Sequence, residues 1–387
     1  MINASAQKSL GTHLRSLERV RVSIIVFLAA LFLFRTFSFS QNMSSVLDLQ
    51  SLQGVRFVIE VRDSKSLAEI KKLTRASWVE PFYPEHPNDF FRRLWVVEGP
   101  KDELNFDHNW IGFKEESAPL ELSEIIPDLN QPPAYPEWFF NLQWWLQNTG
   151  QEAVLEIDNY RNLRTTGVVG KDLNWLSLQH LIEKKVPKRP VIAVLDTGID
   201  LTHPELIHAL VKNPKECEAQ DPTKDNDGNG LPGDCHGWNF TAPLNSSEGR
   251  NVQDLVGHGT HISGLMAALN DGQGIVGLTP QAMILPVKVL NDGVAENSSE
   301  GVRLNISDRL ARGFIYATDR GVDVINLSLG WPRSRESDLL RRAVAYALSK
   351  NVLIVAAAGN NNSSEPVFPC ALDRVICVGA TDIKGEW

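Results

Sequence analysis

The sequence predicts an α/β protein, a doubly wound parallel sheet preceded by a small α+β unit of ferredoxin-like order. Two observations carry the larger domain. From residue 191 onward short apolar runs alternate with helical stretches, the pattern of repeated β-α-β units. Those runs end in polar, chemically capable residues, where open α/β sheets place their ligand sites. A third observation separates the smaller unit: residues 55–120 run strand, helix, two strands, helix, strand.

In the smaller unit, Val55–Val61 (VRFVIEV) alternates as a strand, and Lys65–Ala76 carries Leu67, Ile70 and Leu73 at helical spacing. Trp78–Phe82 and Arg93–Glu98 read as extended, Asp102 opens a short helix with Leu104 one turn in, and Ile111–Leu120 closes the sheet. Pro119, Pro127, Pro132, Pro133 and Pro136 then forbid a helix over residues 118–137, leaving a linker or an extended surface segment. Aromatic sequence follows from Trp138 to Trp145, and Lys184, Lys185, Lys188 and Arg189 form a solvated turn before the larger domain.

There, Val191–Leu195 is continuously apolar, as a strand covered on both faces must be. Helices are expected over Gly259–Leu269, Ser307–Arg320 and Glu336–Lys350. Further strands are expected over Ile284–Leu290, Val322–Leu329, Val352–Ala358 and Val375–Ala380.

The length, 387 residues, suits two or three folded units at about 150 residues each. A content of 43% hydrophobic and 22% charged residues excludes disorder, collagen and coiled coil. The net charge of −9 excludes a general nucleic-acid binder, which needs a basic face. At the amino end, Lys8, Arg15, Arg19 and Arg21 precede the uncharged run Val22–Phe34, 13 residues long and short for a bilayer span. With Ser38-Phe39-Ser40 as the exit, this is the pattern of a signal peptide cleaved before Gln41. The expected location is therefore outside the cell or in its envelope. An uncleaved membrane anchor is the alternative, and would be the only membrane contact.

Four groups converge on the carboxyl edge of the larger sheet. The first strand ends in Asp196-Thr197-Gly198-Ile199-Asp200, and Gly257-His258-Gly259-Thr260-His261 opens the following helix. The strand from 322 ends in Asn326-Leu327-Ser328-Leu329-Gly330, and that from 352 in Ala357-Ala358-Gly359-Asn360. An Asp that orients a His makes the His a general base, two-thirds of a catalytic triad. An Asn aimed at the same point can stabilise an oxyanion.

These segments, DTGID, HGTHISG, NLSLG and AAGN, resemble those of the subtilisin-like serine proteases (peptidase family S8) over residues 191–381. The upstream pieces Gln143–Gly150 and Lys171–Trp175 resemble the stretch that precedes the catalytic Asp. The resemblance implies a secreted endopeptidase with Asp196 as orienter, His258 as general base and Asn360 as oxyanion donor. It makes Ser328, Leu329 and Gly330 a backbone edge for an extended polypeptide substrate. It also implies a signal peptide over 1–40 and an inhibitory prosegment over 41–125. Residues 126–185 become a linker with the start of the catalytic domain, and 186–387 the catalytic domain. Self-cleavage is then expected near Leu122–Asn130.

One departure matters. The family nucleophile is a Ser in a Gly-Thr-Ser helix start downstream of AAGN, and no such segment lies between Asn360 and Trp387. Ser363 and Ser364 sit in a polar loop beside Pro366 without that setting. Residues 1–387 by themselves are therefore expected to be inactive, the catalytic domain stopping short of the Ser. A pseudoprotease that only binds peptide is the alternative function. A nucleotide-binding α/β protein would need a Gly-rich phosphate loop after the first strand, where only Gly198 stands.

The chemistry requires no cofactor, but calcium is expected as a structural ion at either of two places. Asp225, Asp227, Asn229 and Gly230 match the first half of a calcium loop, although position 12 is His236 rather than Glu. The resemblance offers the other: Glu205 and Asp271 with the carbonyls of Leu269, Gln273 and Ile275. His258-x-x-His261 lacks the HExxH pattern of zinc proteases. Of the three ways to pair four cysteines, Cys217 with Cys235 and Cys370 with Cys377 is the simplest, with free thiols as the alternative.

Overall fold

The computed structural model describes residues 55–61, 65–84, 86–99, 104–106, 111–116, 140–158, 161–182, 188–244, 246–271, 273–290, 307–332, 337–360 and 363–386. The expected signal peptide, the proline-rich linker, the self-cleavage region, Lys184 and Lys185 lie outside them.

The amino-terminal unit contains β1 (Val55–Val61), α1 (Leu67–Thr74), β2 (Trp78–Pro81), α2 (Asp89–Arg92), β3 (Leu94–Gly99) and β4 (Ile111–Glu116). Ser66 opens α1 with a capping box: its hydroxyl accepts the Glu69 N–H at 3.3 Å while the Glu69 carboxylate accepts the Ser66 N–H at 2.8 Å. The strands form one antiparallel sheet in the order β2-β3-β1-β4, the order a split β-α-β unit requires. The second helix is where expectation and structure part. Leu104–Phe106 are not helical, and the short helix α2 stands instead between β2 and β3, where Asn88 accepts the Phe90 N–H and starts it.

Next come the hairpin β5 (Glu152–Asp158) and β6 (Arg161–Thr166) and helix α3 (Trp175–Ile182), all inside the segment expected as linker and start of the catalytic domain. The larger domain follows as β7 (Val191–Asp196), α4 (Pro214–Cys217), β8 (Trp238–Asn239), α5 (His258–Ala267), β9 (Met283–Lys288), α6 (Ser307–Asp319), β10 (Val324–Leu327), β11 (Trp331–Pro332), α7 (Asp338–Ser349), β12 (Leu353–Ala357), β13 (Val367–Phe368) and β14 (Ile376–Val378). Six strands make one wholly parallel sheet in the order β14-β12-β10-β7-β9-β8. The sequence reading gave the strand at 322 two extra residues at each end. The ladder stops at Leu327, opposite Ala356.

Alternation decides which helix covers which face. Ala193, Leu195, Ile325, Leu327, Ile354 and Ala356 pack on α6 and α7, while Ile192, Val194, Val324 and Val355 pack on α5. This is the doubly wound arrangement the apolar runs predicted. After β7 the chain builds outward through β8 and β9, then crosses back to place β10 on the other side of β7. The ends of β7 and β10 therefore flank the switch point of the sheet, where α/β proteins hold their ligands.

The amino-terminal sheet also uses both faces. Phe57, Ile59, Val61, Val79 and Val97 pack with Ile70 of α1, whereas Val58, Phe82, Tyr83, Phe91, Leu94 and Val96 join the core beneath α6 and α7. Among the described residues no helix is long and apolar enough to cross a membrane.

Candidate active site

Asp196 closes β7 and is fully buried; His258 is the first residue of α5. Asp196 Oδ1 and His258 Nδ1 are 2.6 Å apart. A carboxylate only accepts, so Nδ1 carries the proton and Nε2 keeps its lone pair, the tautomer of a general base. The same Oδ1 accepts the Thr197 N–H at 2.7 Å, which fixes the carboxylate before it meets the ring.

Backbone closeness makes the pair possible. The Gly259 N–H donates to the Thr197 side chain at Oγ1, 2.9 Å away, which ties the helix start to the strand end. A Cβ on Gly259 would fall 2.2 Å from the Gly198 carbonyl oxygen. Gly198 itself holds φ at +111°, and a Cβ there would fall 2.4 Å from the Val252 carbonyl oxygen. The glycines of DTG and HGT are thus requirements of the approach.

Asp254, which the sequence reading missed, sets the helix start. Its carboxylate accepts the N–H groups of Val256 (3.0 Å), Gly257 (2.8 Å) and Thr260 (2.9 Å) and the Thr260 hydroxyl (2.7 Å). Burial pushes its pKa up, but those four bonds outweigh burial and leave it below the ordinary value. An Asp three residues ahead of a glycine-led helix is a recognisable capping signal.

Ser328, Leu329 and Gly330 continue β10 past its last paired residue. Their strand lies between β7 and β12, so they stand beside Asp196 on the same edge. The Ser328 hydroxyl is buried and accepts Asn326 Nδ2 at 3.1 Å, a supporting contact. A Cβ on Gly330 would meet Val367 Cγ1 at 2.6 Å and lie 3.6 Å from the Ala357 carbonyl oxygen, which places this edge against the end of β12. Asn360 is exposed just beyond β12, after Gly359 at φ +91°. The structure thus joins Asp196 to His258 directly. It sets Ser328–Gly330 and Asn360 along one edge of the sheet, at successive strands about 4.8 Å apart.

The two calcium candidates differ. Facing the loop after α5 from the segment between β7 and α4, Glu205 Oε2 is buried without a hydrogen-bond partner among the described residues, and a Cβ on Gly274 would press to 3.2 Å from Oε1. Burial, then the charge of Asp271, raises the Glu205 pKa. Gln143 clamps the loop end by donating to the Val276 carbonyl and accepting its N–H, both at 2.8 Å. An orphaned carboxylate oxygen beside a second carboxylate fits a divalent cation, with Glu205, Asp271 and the carbonyls of Leu269, Gln273 and Ile275 to hold it.

In the acidic loop the third side chain drawn in is the Glu216 carboxylate, not the Asn229 amide. One oxygen each of Glu216, Asp225 and Asp227 lie within 4.8 Å of one another. The Asn229 amide oxygen accepts the Leu231 N–H at 2.7 Å, and its nitrogen donates to Asp234 at 3.0 Å. Asp225 takes the Gly228 and Gly230 N–H groups, and Glu216 those of Asn226, Asp227 and Gly233. His236 turns its Nδ1 to the Val211 carbonyl at 3.1 Å. The loop's own N–H groups donate to these acids, and the three carboxylates together form a group that could hold a metal ion. The sulfurs of Cys217 and Cys235 lie at bonding distance across this loop, and those of Cys370 and Cys377 across the turn into β14.

Residues 187–386 match the model of the subtilase family, Peptidase S8. The chain belongs to the subtilase family. It is 36% identical over 192 residues to a thermophilic serine proteinase of Bacillus sp. strain AK1, covering 49% of this chain and 38% of that one. Thermitase of Thermoactinomyces vulgaris is 34% identical over 192 residues, covering 49% and 54%. Fervidolysin of Fervidobacterium pennivorans is 34% identical over 208 residues, covering 54% and 26%. The subtilase chain thus spans between about a quarter and about half the length of these relatives.

Proposed function

We propose that this subtilase is the Asp–His portion of an exported serine endopeptidase. The observation that carries the reading is the 2.6 Å contact between Asp196 and His258 at the switch point of the sheet, beside the strand end Ser328–Gly330. In this reading an extended polypeptide lies along Ser328–Gly330 as an added strand. His258 Nε2 takes the proton of an attacking serine hydroxyl, and Asp196 holds the imidazole and stabilises the imidazolium. Asn360, exposed at the next strand end, donates to the developing oxyanion. The serine itself is assigned to sequence beyond residue 387.

Residues 41–125 are read as the intramolecular inhibitor, since the unit at 55–116 packs on the helices behind the site. Residues 1–40 are read as the export signal, in keeping with two cysteine pairs at bonding distance, which persist in oxidising compartments. A calcium ion at Glu205 and Asp271 would brace the loop that follows the catalytic helix.

The test is to read the gene past codon 387 and express the product. Hydrolysis of an unfolded protein substrate, with labelling by a serine-directed phosphonate, is the expected result. A confirmed stop at 387, with peptide binding and no hydrolysis, would overturn the endopeptidase reading in favour of a peptide-binding protein.

A further inference from the structure

The contact between the amino-terminal unit and the protease domain is unusual in its charge. Arg312, in the middle of α6, is 1% exposed. Its Nη1 lies 2.7 Å from Glu80 Oε1 on β2, a carboxylate only 8% exposed. Its Nη2 is 3.4 Å from the Pro81 carbonyl oxygen, and its guanidinium stacks 5.0 Å from the Phe82 ring centroid. Among the described residues Glu80 is the one carboxylate paired with Arg312, and Arg312 Nε has no acceptor. Every described partner of this buried cation therefore comes from the amino-terminal unit, and none from the domain that carries it.

A buried ion pair adds little to affinity, because desolvation offsets the attraction. Its effect is on selection. A partner without the carboxylate leaves a bare guanidinium in an apolar interface, and a partner with a cation there is repelled. We infer that the Glu80–Arg312 pair is the recognition key between the unit and the α6–α7 face. The aromatic and aliphatic surface around it supplies adhesion without choice. Near the other end of α6, His86 Nε2 lies 2.9 Å from Asp319 Oδ2, and Tyr346 of α7 donates to Asp319 Oδ1 at 2.7 Å. That contact orients the unit but has a neutral alternative in an uncharged imidazole. The key rests on the assignment of residues 55–116 as a docked unit, and not on whether that unit inhibits.

The experiment is hydrogen exchange on the full 387-residue chain, comparing the parent with E80Q, E80R, R312E and the swap E80R/R312E. E80R and R312E are expected to speed exchange of the α6 and α7 amides by about a hundred- to a thousandfold, E80Q less, and the swap is expected to return protection to within about tenfold of the parent. Amides of β7 and β10 serve as the fold control, and must stay protected throughout. Equal exchange in the parent and both charge reversals, or a swap no better than the worse single variant, would overturn the key. So would loss of β7 and β10 protection in E80Q, which removes only the charge, because the pair would then hold the fold together. Inhibition is read separately, from hydrolysis by the longer product, so either idea can fail without the other.

Discussion

At the scale of single residues, the chemistry depends on a hydrogen bond that the neighbouring glycines permit and Asp254 steadies. The short Asp196–His258 contact predicts an imidazole N–H proton far downfield of the amides in the proton spectrum of the chain. It should vanish in H258A and D196N, and its persistence in D196N would show that another group holds the ring. Asp254 makes a separate prediction. Its folded pKa lies below the ordinary 3.8, so its contribution is present above about pH 3.8 and lost as pH falls through the lower folded value. D254N should cost about 1–2 kcal/mol at neutral pH, the range of a lost cap. The gap in melting temperature between parent and variant should close on acidification. A gap that widens in acid would refute the assignment. Asp196 and the strand-end glycines were legible in the sequence because they sit where an apolar run stops, and His258 because it stands between glycines at the start of the next helix. Asp254 was passed over because it stands four residues before the histidine, in a loop with no periodicity to flag it.

Among the elements, five of the six parallel strands were read to within about two residues, since a strand buried on both faces is a plain apolar run, while the two-residue β8 (Trp238–Asn239) is too short to show one. In the amino-terminal unit the four strands and the first helix were read in order, and the second helix was misplaced. The expected helix at Leu104 is absent from Leu104–Phe106, and α2 was missed because four residues carry too little periodicity to be seen. Likewise Glu216 could not be foreseen beside Asp225 and Asp227, as the loop's fold and not its spacing brings it in. Two predictions belong here. Removing the 18-residue link by C217S/C235S should lower stability by about 3 kcal/mol in equilibrium unfolding. Chelation should lower the melting temperature of the parent, with about 2.7 kcal/mol at stake at hundredfold saturation, and leave E205Q unmoved. An equal response in E205Q would remove calcium from the Glu205 loop.

For the whole molecule, the fold joins three things that the sequence shows only as separate segments. The switch point brings the ends of β7 and β10 together and so places Asp196, His258 and Ser328–Gly330 on one edge. The same crossing puts α6 and α7 on the opposite face, where the amino-terminal unit docks, a contact that spans 232 positions between Glu80 and Arg312. No local pattern could have revealed that pairing, because Arg312 reads as an ordinary helix cation until the partner is in place. The central claim is that hydrolysis runs through the Asp196–His258 pair, and the most direct test is the kcat of the longer product carrying H258A or D196N. The account predicts a loss of about 10⁶-fold in kcat for the histidine variant, as found for the catalytic histidine of subtilisin, and about 10⁴-fold for the aspartate variant. Activity within tenfold of the parent in H258A would contradict it.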